Sequence, residues 1–325
     1  MRTTRPTEHE QEVTHVPQQK TLSRAGFGRL AAGLAAAGLT LSACAEETAT
    51  NSTGSEPSGG GEAGTVRLGF LPSWTDGLST AYLWKNVLEK EGYTVEFEEL
   101  SEAAPLYAAI AQGDVDVYPS GWPQVTHADY MAEYGDQIED LGAWYDGAVL
   151  TLAVPQYTDV DSIDQLAGQA DRFGGRIVGI EPGAGLTRVT GEQAMPAYGL
   201  DSEYELVTSS TTAMLAELQS SIDAQQDIVV TLWRPFWANT AFPVKDLADP
   251  EGAMGQAETL NSLARTGFSD DMPEVAAMMS KLRLTDEQYG TLEDTVVNEY
   301  GEGRYDDGVQ AWLDANPDFT ATLTS

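Results

Sequence analysis

The feature that most constrains the fold of this chain is the alternation of short, β-branched apolar runs with helical segments. The helical segments include Leu78–Leu88 and PLYAAIAQ (105–112), whose apolar residues recur at helical spacing. Strands that alternate with helices predict an α/β protein with largely parallel sheets. The predicted strands are VRLGFL (66–71), YTVEFEEL (93–100), VDVY (115–118), AVLTLAV (148–154), RIVGI (176–180), YELV (204–207) and DIVVTLW (227–233).

Two further helix starts are predicted from capping residues. Ser162 precedes the segment IDQLA (163–167) and is a favourable N-cap residue. Thr285 and Gln288 have the spacing of a capping box, which predicts the start of a helix that carries Leu292 and Val296.

The N-terminal region has the composition of a targeting segment. A basic stretch leads into Leu30–Ala43, an uncharged run that is too short to span a bilayer and is typical of a signal-peptide core. The run ends in LSAC (41–44), which resembles the bacterial lipobox. We therefore predict a signal peptide over 1–43, a lipid on Cys44 and a flexible Ser-, Thr- and Gly-rich tether over 44–64. The alternative is an ordinary secretory signal in which Cys44 stands by coincidence.

Charge and cysteine content exclude several classes of function. The sequence has 17 Lys and Arg residues against 51 Asp and Glu residues, a net charge of −34 at pH 7. Nucleic-acid binding needs a basic surface, so nucleic acid is excluded as a partner. Because Cys44 is the only cysteine, a disulfide framework and a thiol nucleophile within the fold are also excluded.

Four predicted strands end in residues that suit a binding cleft. Trp74 follows the first strand, Trp122 follows VDVYPSG, and Trp233 ends DIVVTLW. The remaining strand of the four, RIVGI (176–180), leads into a glycine turn, Gly183–Gly185. Open α/β sheets place their ligand crevice at the carboxyl ends of the strands. We therefore expect the three tryptophans and the glycine turn to face one cleft.

The three indoles predict a site for a cation. Tryptophan is the best aromatic partner of a cation, and several indoles around one point suit a methylated ammonium, which donates no ordinary hydrogen bond. The alternative for any tryptophan is packing in the core. We expect core packing for Trp84 and Trp312, which lie on predicted helices among apolar neighbours, and favour it for Trp144 and Trp237.

Two other features predict donors for an anion. The glycine turn opens a helix, where the free N–H groups of Gly185 and Leu186 favour a small anion. It is a weak dinucleotide motif, because Arg188 replaces the third glycine. His127 lies on the same loop as Trp122 and offers a further donor. The alternative for both features is a purely structural role, in which neither the glycine turn nor His127 contacts a ligand. A cation box beside anion donors describes the binding site of a betaine.

An enzymatic function has little support in the sequence. His127 is the one imidazole of the folded part, because His9 and His15 lie in the predicted signal peptide. A histidine-rich metal site is therefore excluded, although a site made of carboxylates alone stays open. The chain has no GxSxG elbow and no GxxxxGK[ST] phosphate loop. We predict a binding protein without catalytic residues, cofactor or metal ion, and a secreted hydrolase that uses His127 is the alternative from another class.

The sequence closely resembles the glycine betaine/proline betaine substrate-binding lipoproteins of ABC transporters. The likeness runs from Val66 to Asn316. It rests on the segments GWPQVTHADY (121–130), VGIEPGAGLTR (178–188), YELVTSSTTAMLAEL (204–218), IVVTLWRPFW (228–237) and ARTGF (264–268).

This resemblance implies a type II periplasmic-binding-protein fold, in which two α/β lobes joined by a hinge hold the ligand between them. The first lobe would comprise 65–152 and 258–325, and the second 153–257. The protein would be a monomer outside the cytoplasm, anchored by its lipid to the outer face of the cell membrane beside an ABC permease.

The resemblance also implies ligand-binding residues. Relatives hold the quaternary ammonium in a cage of three tryptophans and the carboxylate with two backbone N–H groups and one histidine. The matching residues are Trp74, Trp122 and Trp233, which we call the tryptophan cage, and Gly185, Leu186 and His127 for the carboxylate.

The chain departs from its relatives at two of these segments. Phe236 stands where relatives often have a histidine in Trp-x-Pro-His-Trp, and that histidine is not among the ligand groups. Leu186 replaces a commoner isoleucine, which does not matter to a backbone contact. The expected ligand is glycine betaine, and the alternatives are choline, carnitine, ectoine and dimethylsulfoniopropionate.

Overall fold

The structure is a computed structural model and describes residues 64–324. The predicted signal peptide, the lipidation site at Cys44 and the predicted tether apart from Gly64 lie outside the described residues. The strands are β1 Thr65–Phe70, β2 Thr94–Glu99, β3 Val117–Gly121, β4 Ile138–Pro155, β5 Arg176–Val178, β6 Glu205–Val207, β7 Val230–Arg234, β8 Val244–Asp246 and β9 Glu258–Arg265.

The helices lie mainly between the strands and after the last one. A π-helical stretch, Thr190–Ala194, continues the helix Gly185–Val189, and another, Asp294–Tyr300, continues the helix Asp286–Glu293. The α-helices are α1 Thr75–Lys90, α2 Ala103–Gln112, α3 Ala128–Tyr134, α4 Gly185–Val189, α5 Met195–Ala197, α6 Thr211–Asp223, α7 Ala238–Ala241, α8 Phe268–Asp271, α9 Pro273–Met279, α10 Asp286–Glu293, α11 Tyr305–Ala315 and α12 Phe319–Thr324. Among residues 64–324, no helix has the length and hydrophobicity needed to cross a membrane.

The strands follow the order β2-β1-β3-β9-β4-β7-β5-β6, and β8 also pairs with β4. The long strand β4 pairs with β9 up to Ala148 and with β7 from Val149 onward. We call the part around β1, β2, β3 and β9 the first lobe and the part around β5 to β8 the second lobe. The mixed α/β fold with two lobes is therefore as predicted. The exact lobe limits at 152/153 and 257/258 stay a prediction.

The prediction of largely parallel sheets is only half right. The pairs β1–β2, β1–β3, β5–β6 and β5–β7 are parallel, whereas β3–β9, β4–β7, β4–β8 and β4–β9 are antiparallel. Every antiparallel pair contains β4, which runs from the first lobe into the second, or β9, the first strand after the chain returns to the first lobe. A chain that enters the second lobe on one strand and returns on another brings the two together antiparallel.

Several predicted elements need correction. The strand β9, the short strand β8 and the first half of β4 were not expected. In β9 the polar residues Glu258, Asn261 and Ser262 are buried beside apolar ones, so the strand shows no clear apolar alternation. The helix predicted after Ser162 is only a 3₁₀ turn, Ile163–Leu166, because the Ser162 hydroxyl bonds Asp164 and the Ala248 carbonyl rather than the helix start.

The capping-box prediction is confirmed. The Gln288 backbone N–H donates to the Thr285 hydroxyl over 3.2 Å, and the Thr285 N–H donates to Gln288 Oε1 over 3.0 Å. The helix α10 therefore begins where the two residues predict.

The core contains the tryptophans expected there. Trp84 and Trp312 are buried, as predicted. Trp144 is also buried, and its indole N–H donates to the carbonyl of Pro119 in β3 over 2.8 Å. The helices α10 and α11 pack on α1 of the first lobe.

Candidate ligand-binding site

All six residues predicted to bind a ligand line one cavity at the carboxyl ends of the strands. Trp74 follows β1 at the N-cap of α1, Trp122 follows β3, and Trp233 lies near the end of β7. Gly185 and Leu186 begin α4, which follows β5. The lining that was not predicted consists of Asp76, Thr126, Leu150, Ile180 and Ala184.

The cage indoles are buried and backed by other rings. Trp74, Trp122 and Trp233 expose 7%, 5% and 5% of their surface. Trp233 stacks on Phe236 with ring centroids 4.0 Å apart and an interplanar angle of 13°. Trp74 stacks on His127 at 5.8 Å and 17°. The residue that departs from the relatives' pattern, Phe236, thus packs against the indole of Trp233.

Two buried carboxylates hold the edges of two cage indoles. Trp122 Nε1–H donates to Asp76 Oδ2 over 3.0 Å, and Trp74 Nε1–H donates to Glu181 Oε2 over 3.1 Å. Ser120 also donates to Asp76, over 2.5 Å. Burial raises the pKa of Asp76, although the hydrogen bonds from Ser120 and Trp122 oppose the shift. Among residues 64–324, neither carboxylate has a Lys or Arg partner.

The hydrogen bonds of His127 fix its tautomer. The Trp122 backbone N–H donates to Nδ1 over 3.2 Å, and Nδ1 lies 2.9 Å from the Tyr107 hydroxyl. Since a backbone N–H can only donate, Nδ1 is the acceptor and the ring proton lies on Nε2. Nε2 is buried and has no partner among the described residues. Burial, with a smaller effect of Arg188, lowers the pKa of His127 to about 3, so the ring is neutral at physiological pH.

The first turn of α4 adds backbone donors. The N–H groups of Gly185 and Leu186 precede the first intrahelical bond, which runs from Arg188 N to Ala184 O, and have no acceptor among residues 64–324. Gly185 lies against the main chain of Thr126, where a Cβ atom would come within 1.7 Å of the carbonyl oxygen. These donors therefore lie beside the loop that carries His127.

Glu258 shapes the loop between Trp122 and His127. Its carboxylate accepts the backbone N–H groups of Gln124, Val125 and Thr126 over 2.9–3.0 Å, and the Thr126 hydroxyl over 2.5 Å. Glu258 is the first residue of β9, far from the loop in sequence. Neither Glu258 nor Glu181 was predicted, because a single acidic residue carries no signal in so acidic a chain. For Asp76, the position two residues after Trp74 in the first turn of a helix was a weak indication that it lies near the site.

The described residues contain no group of three or more His, Cys, Asp or Glu side chains arranged to hold a metal ion. The six predicted residues and the neighbouring carboxylates instead form a small cavity with indole faces and unpaired N–H groups.

Comparison with known proteins places the chain in a family. The model of the substrate-binding domain of ABC-type glycine betaine transport systems matches residues 64–315. The chain belongs to this family. The glycine betaine-binding domain family consists of substrate-binding proteins rather than enzymes, which agrees with the prediction of a protein without catalytic function.

Individual members of the glycine betaine-binding domain family resemble the chain to different extents. The glycine betaine/carnitine transport binding protein GbuC of Listeria monocytogenes is 36% identical over 152 residues, 46% of this chain and 48% of GbuC. The chain thus spans about half the length of that curated relative. The crystal structure of ProX, a glycine betaine/L-proline-binding protein from Borrelia burgdorferi, is 32% identical with a TM-score of 0.75, over 80% of this chain and 97% of ProX.

The fold of the family is also seen with a ligand bound. The closed, glycine betaine-bound structure of lactococcal OpuAC is 27% identical with a TM-score of 0.74, over 80% of this chain and 99% of OpuAC. These two structures confirm the predicted two-lobe periplasmic-binding-protein fold.

Proposed function

We propose that the protein captures glycine betaine, or a closely related zwitterionic quaternary ammonium compound, and delivers it to an ABC permease. The observation that carries the proposal is found in one cavity, where three indoles and the Asp76 carboxylate, which has no cationic partner, lie together with three N–H donors that have no acceptor among residues 64–324. A ligand with a methylated cation at one end and a carboxylate at the other complements the indoles with its cation and the N–H donors with its carboxylate.

The cationic half of the ligand is inferred from the cage and the Asp76 carboxylate. Contact with an indole face contributes about 0.5–1 kcal/mol when exposed and about 2 kcal/mol when desolvated. Asp76 lines the cavity and is buried without a cationic partner, and a buried unpaired charge is costly. A cationic ligand supplies the missing positive charge, and the trimethylammonium group fits because it needs no hydrogen-bond acceptor.

The anionic half is inferred from the donors. His127 Nε2–H and the N–H groups of Gly185 and Leu186 offer three hydrogen bonds, of the strength typical for charged acceptors, to one carboxylate. A neutral histidine is suited to this role because it donates without titrating between pH 5 and 8. Choline lacks a carboxylate and would leave these donors unsatisfied, which favours a betaine.

Closure of the lobes is the expected response to the ligand. The Tyr130 hydroxyl of the first lobe donates to the Gly183 carbonyl of the second over 2.7 Å. Arg188 of the second lobe bonds the Val125 carbonyl over 3.0 Å and pairs with Asp129 over 2.9 Å. A ligand that contacts both lobes stabilises this closed arrangement. We infer that the closed form, with the lobes divided near 152/153 and 257/258, is what the permease recognises.

The proposed site of action is the outer face of the cell membrane. We infer that Cys44 carries a lipid and that 44–64 tethers a monomeric binding domain, which raises its effective concentration near the permease. Mass spectrometry of the cell-envelope protein should find the chain beginning at a lipid-modified Cys44. Recovery of Cys44→Ala in the same membrane fraction and at the same size would contradict the lipid anchor.

The ligand is tested by calorimetric titration with glycine betaine, proline betaine, choline, carnitine, ectoine and dimethylsulfoniopropionate. We expect glycine betaine to bind at least ten-fold more tightly than choline, because one charged hydrogen bond contributes about 1.5–3 kcal/mol. Equal affinity for choline would refute the carboxylate half of the proposal. Turnover of an ester or amide that disappears in His127→Ala would favour a hydrolase instead.

A further inference from the structure

Glu181 is a buried carboxylate that joins the two lobes behind the tryptophan cage. It follows β5 in the second lobe and exposes 5% of its surface. From the first lobe it accepts hydrogen bonds from the Ser73 hydroxyl and from Trp74 Nε1–H, both over 3.1 Å. From the second lobe it accepts the Thr211 backbone N–H over 3.0 Å and the Thr211 hydroxyl over 2.9 Å.

The four donors are divided evenly between the two carboxylate oxygens. Oε1 takes Ser73 and the Thr211 N–H, and Oε2 takes Trp74 and the Thr211 hydroxyl. Each oxygen therefore has one bond from either lobe. Each oxygen also faces one N–H group that can only donate. The arrangement requires two acceptor oxygens, which only a carboxylate provides.

The main chain of Glu181 is tied to the other half of the site. Its carbonyl oxygen accepts the Ala184 N–H over 3.0 Å and the Thr187 hydroxyl over 2.9 Å. These bonds shape the turn that begins α4, where Gly185 and Leu186 present their N–H groups. One residue thus fixes the anion donors through its backbone and a cage indole through its side chain.

We propose that Glu181 is a positioning residue that couples the orientation of the Trp74 indole to closure of the lobes. The inference rests on the proposed function and extends it. When the lobes separate, the Trp74 and Ser73 bonds break while the Thr211 bonds remain, so Trp74 loses the contact that orients its edge. The cage is therefore complete only in the closed form, and part of the affinity for any quaternary ammonium ligand depends on Glu181.

The substitution Glu181→Gln tests this role with little change in size. Whichever way the amide is turned, its NH₂ group faces either Trp74 Nε1–H or the Thr211 N–H, and one donor loses its acceptor. We expect the affinity for glycine betaine and for choline to fall about ten-fold or more, chiefly through faster dissociation. Isothermal titration and stopped-flow tryptophan fluorescence of the mature protein measure the two quantities.

A double-mutant cycle with Trp74→Phe separates positioning from a structural role. Phenylalanine keeps an aromatic face but has no N–H for Glu181 to accept. Glu181→Gln should therefore cost less than about three-fold in the Trp74→Phe background, against about ten-fold in the wild type. Equal losses in both backgrounds would overturn the proposal, because a carboxylate that merely anchored α6 would act independently of the indole N–H.

A second variant keeps the inference testable if Glu181→Gln folds poorly, as judged by circular dichroism. Glu181→Asp keeps the charge and can still bond Thr211, but is one methylene too short to reach Trp74 as well. It should lose affinity in the same cycle, and full affinity would show that charge alone matters and would overturn the proposal.

Failure of the wild type to bind any quaternary ammonium compound would instead overturn the proposed function, and this inference with it. A wild type that binds glycine betaine beside a Glu181→Gln variant that binds equally well would overturn the positioning role only.

Discussion

The backbone N–H of Trp122 donates a hydrogen bond to Nδ1 of His127 over 3.2 Å. A cage residue thereby sets the tautomer of the histidine five positions later on the same loop. The ring proton is left on Nε2, which is buried and has no partner among the described residues. The loop therefore presents an indole and a neutral N–H donor to the same cavity.

His127→Ala should weaken carboxylate ligands selectively. Loss of Nε2–H removes one hydrogen bond to a charged acceptor, so we expect the affinity for glycine betaine to fall about 10- to 100-fold. The affinity for choline should fall less than about three-fold, and this smaller loss would come from the lost stacking of His127 on Trp74. Titration calorimetry with both ligands makes the comparison. Tyr107→Phe is the matched control, because Nδ1 keeps its bond from Trp122. Equal losses for both ligands would refute the donor role.

The ring of His127 should remain neutral down to about pH 4. Burial lowers its pKa to about 3 in the folded protein, against an ordinary value of 6.5. The C2–H resonance of ¹³C-labelled His127, assigned by its loss in His127→Ala, should not shift between pH 8 and pH 5. A midpoint near pH 6.5 in the folded protein would mean that the ring is accessible to water.

Trp122→Ala should weaken every quaternary ammonium ligand. Loss of one desolvated indole face corresponds to about 1–2 kcal/mol, or about 10- to 30-fold in Kd, for glycine betaine and choline alike. Trp122→Phe should cost less, because a smaller π-face remains. Fluorescence titration of both variants with both ligands checks the order. An effect confined to carboxylate ligands would contradict the assignment of Trp122 to the cation.

Gly185→Ala should prevent tight closure of the lobes. The new Cβ would lie 1.7 Å from the carbonyl oxygen of Thr126, a main-chain atom that cannot move aside alone. We expect glycine betaine affinity to fall about 10- to 100-fold while the ligand-free melting temperature changes little. Gly290→Ala is the control, because its Cβ would meet open space on α10 and should leave affinity unchanged. Wild-type affinity in Gly185→Ala would show that the contact is not required.

Glu293 should make stability fall as pH rises. Burial raises the pKa of its carboxyl from 4.5 to about 7, although hydrogen bonds from Thr75, Tyr289 and the Trp237 backbone oppose the shift. Between pH 4.5 and 7 the folded state binds more protons than the unfolded state. The stabilising contribution of the protonated group is therefore complete below pH 4.5 and is lost as pH rises through 7.

The substitution Glu293→Gln isolates this effect, because an amide resembles the protonated carboxyl. Denaturant unfolding should show the variant close to wild type in stability below pH 4.5 and more stable by up to about 3 kcal/mol at pH 8. Parallel stability profiles for the two proteins from pH 4 to 8 would rule out Glu293 as the titrating group.

Much of the site could be predicted because it depends on local sequence and simple topology. The alternation of strands and helices places strand ends at one edge of a sheet, so Trp74, Trp122 and Gly185 could be assigned to one cleft from their positions alone. His127 follows Trp122 by five residues on the same loop. The capping box of Thr285 and Gln288 is equally local, and the structure contains it.

Other features depended on contacts between distant parts of the chain. The strand β9 was missed because Glu258 and Asn261 are buried in it by partners on other segments. The helix predicted after Ser162 is reduced to a 3₁₀ turn, because the Ser162 hydroxyl bonds Asp164 and also the carbonyl of Ala248, 86 residues away. In both cases, bonds to distant segments that form only in the folded protein contribute to the difference.

The sequence by itself determined the fold class and which residue types meet in the cleft, because apolar periodicity and strand-end position are properties of neighbouring residues. Only the tertiary structure decided which few acidic residues serve the site. Asp76, Glu181 and Glu258 differ from the many surface carboxylates in their burial and in the donors that surround them. Two of them take those donors from over 100 positions away. The role of a carboxylate depends on the hydrogen-bond donors that surround it, and only folding brings those donors together.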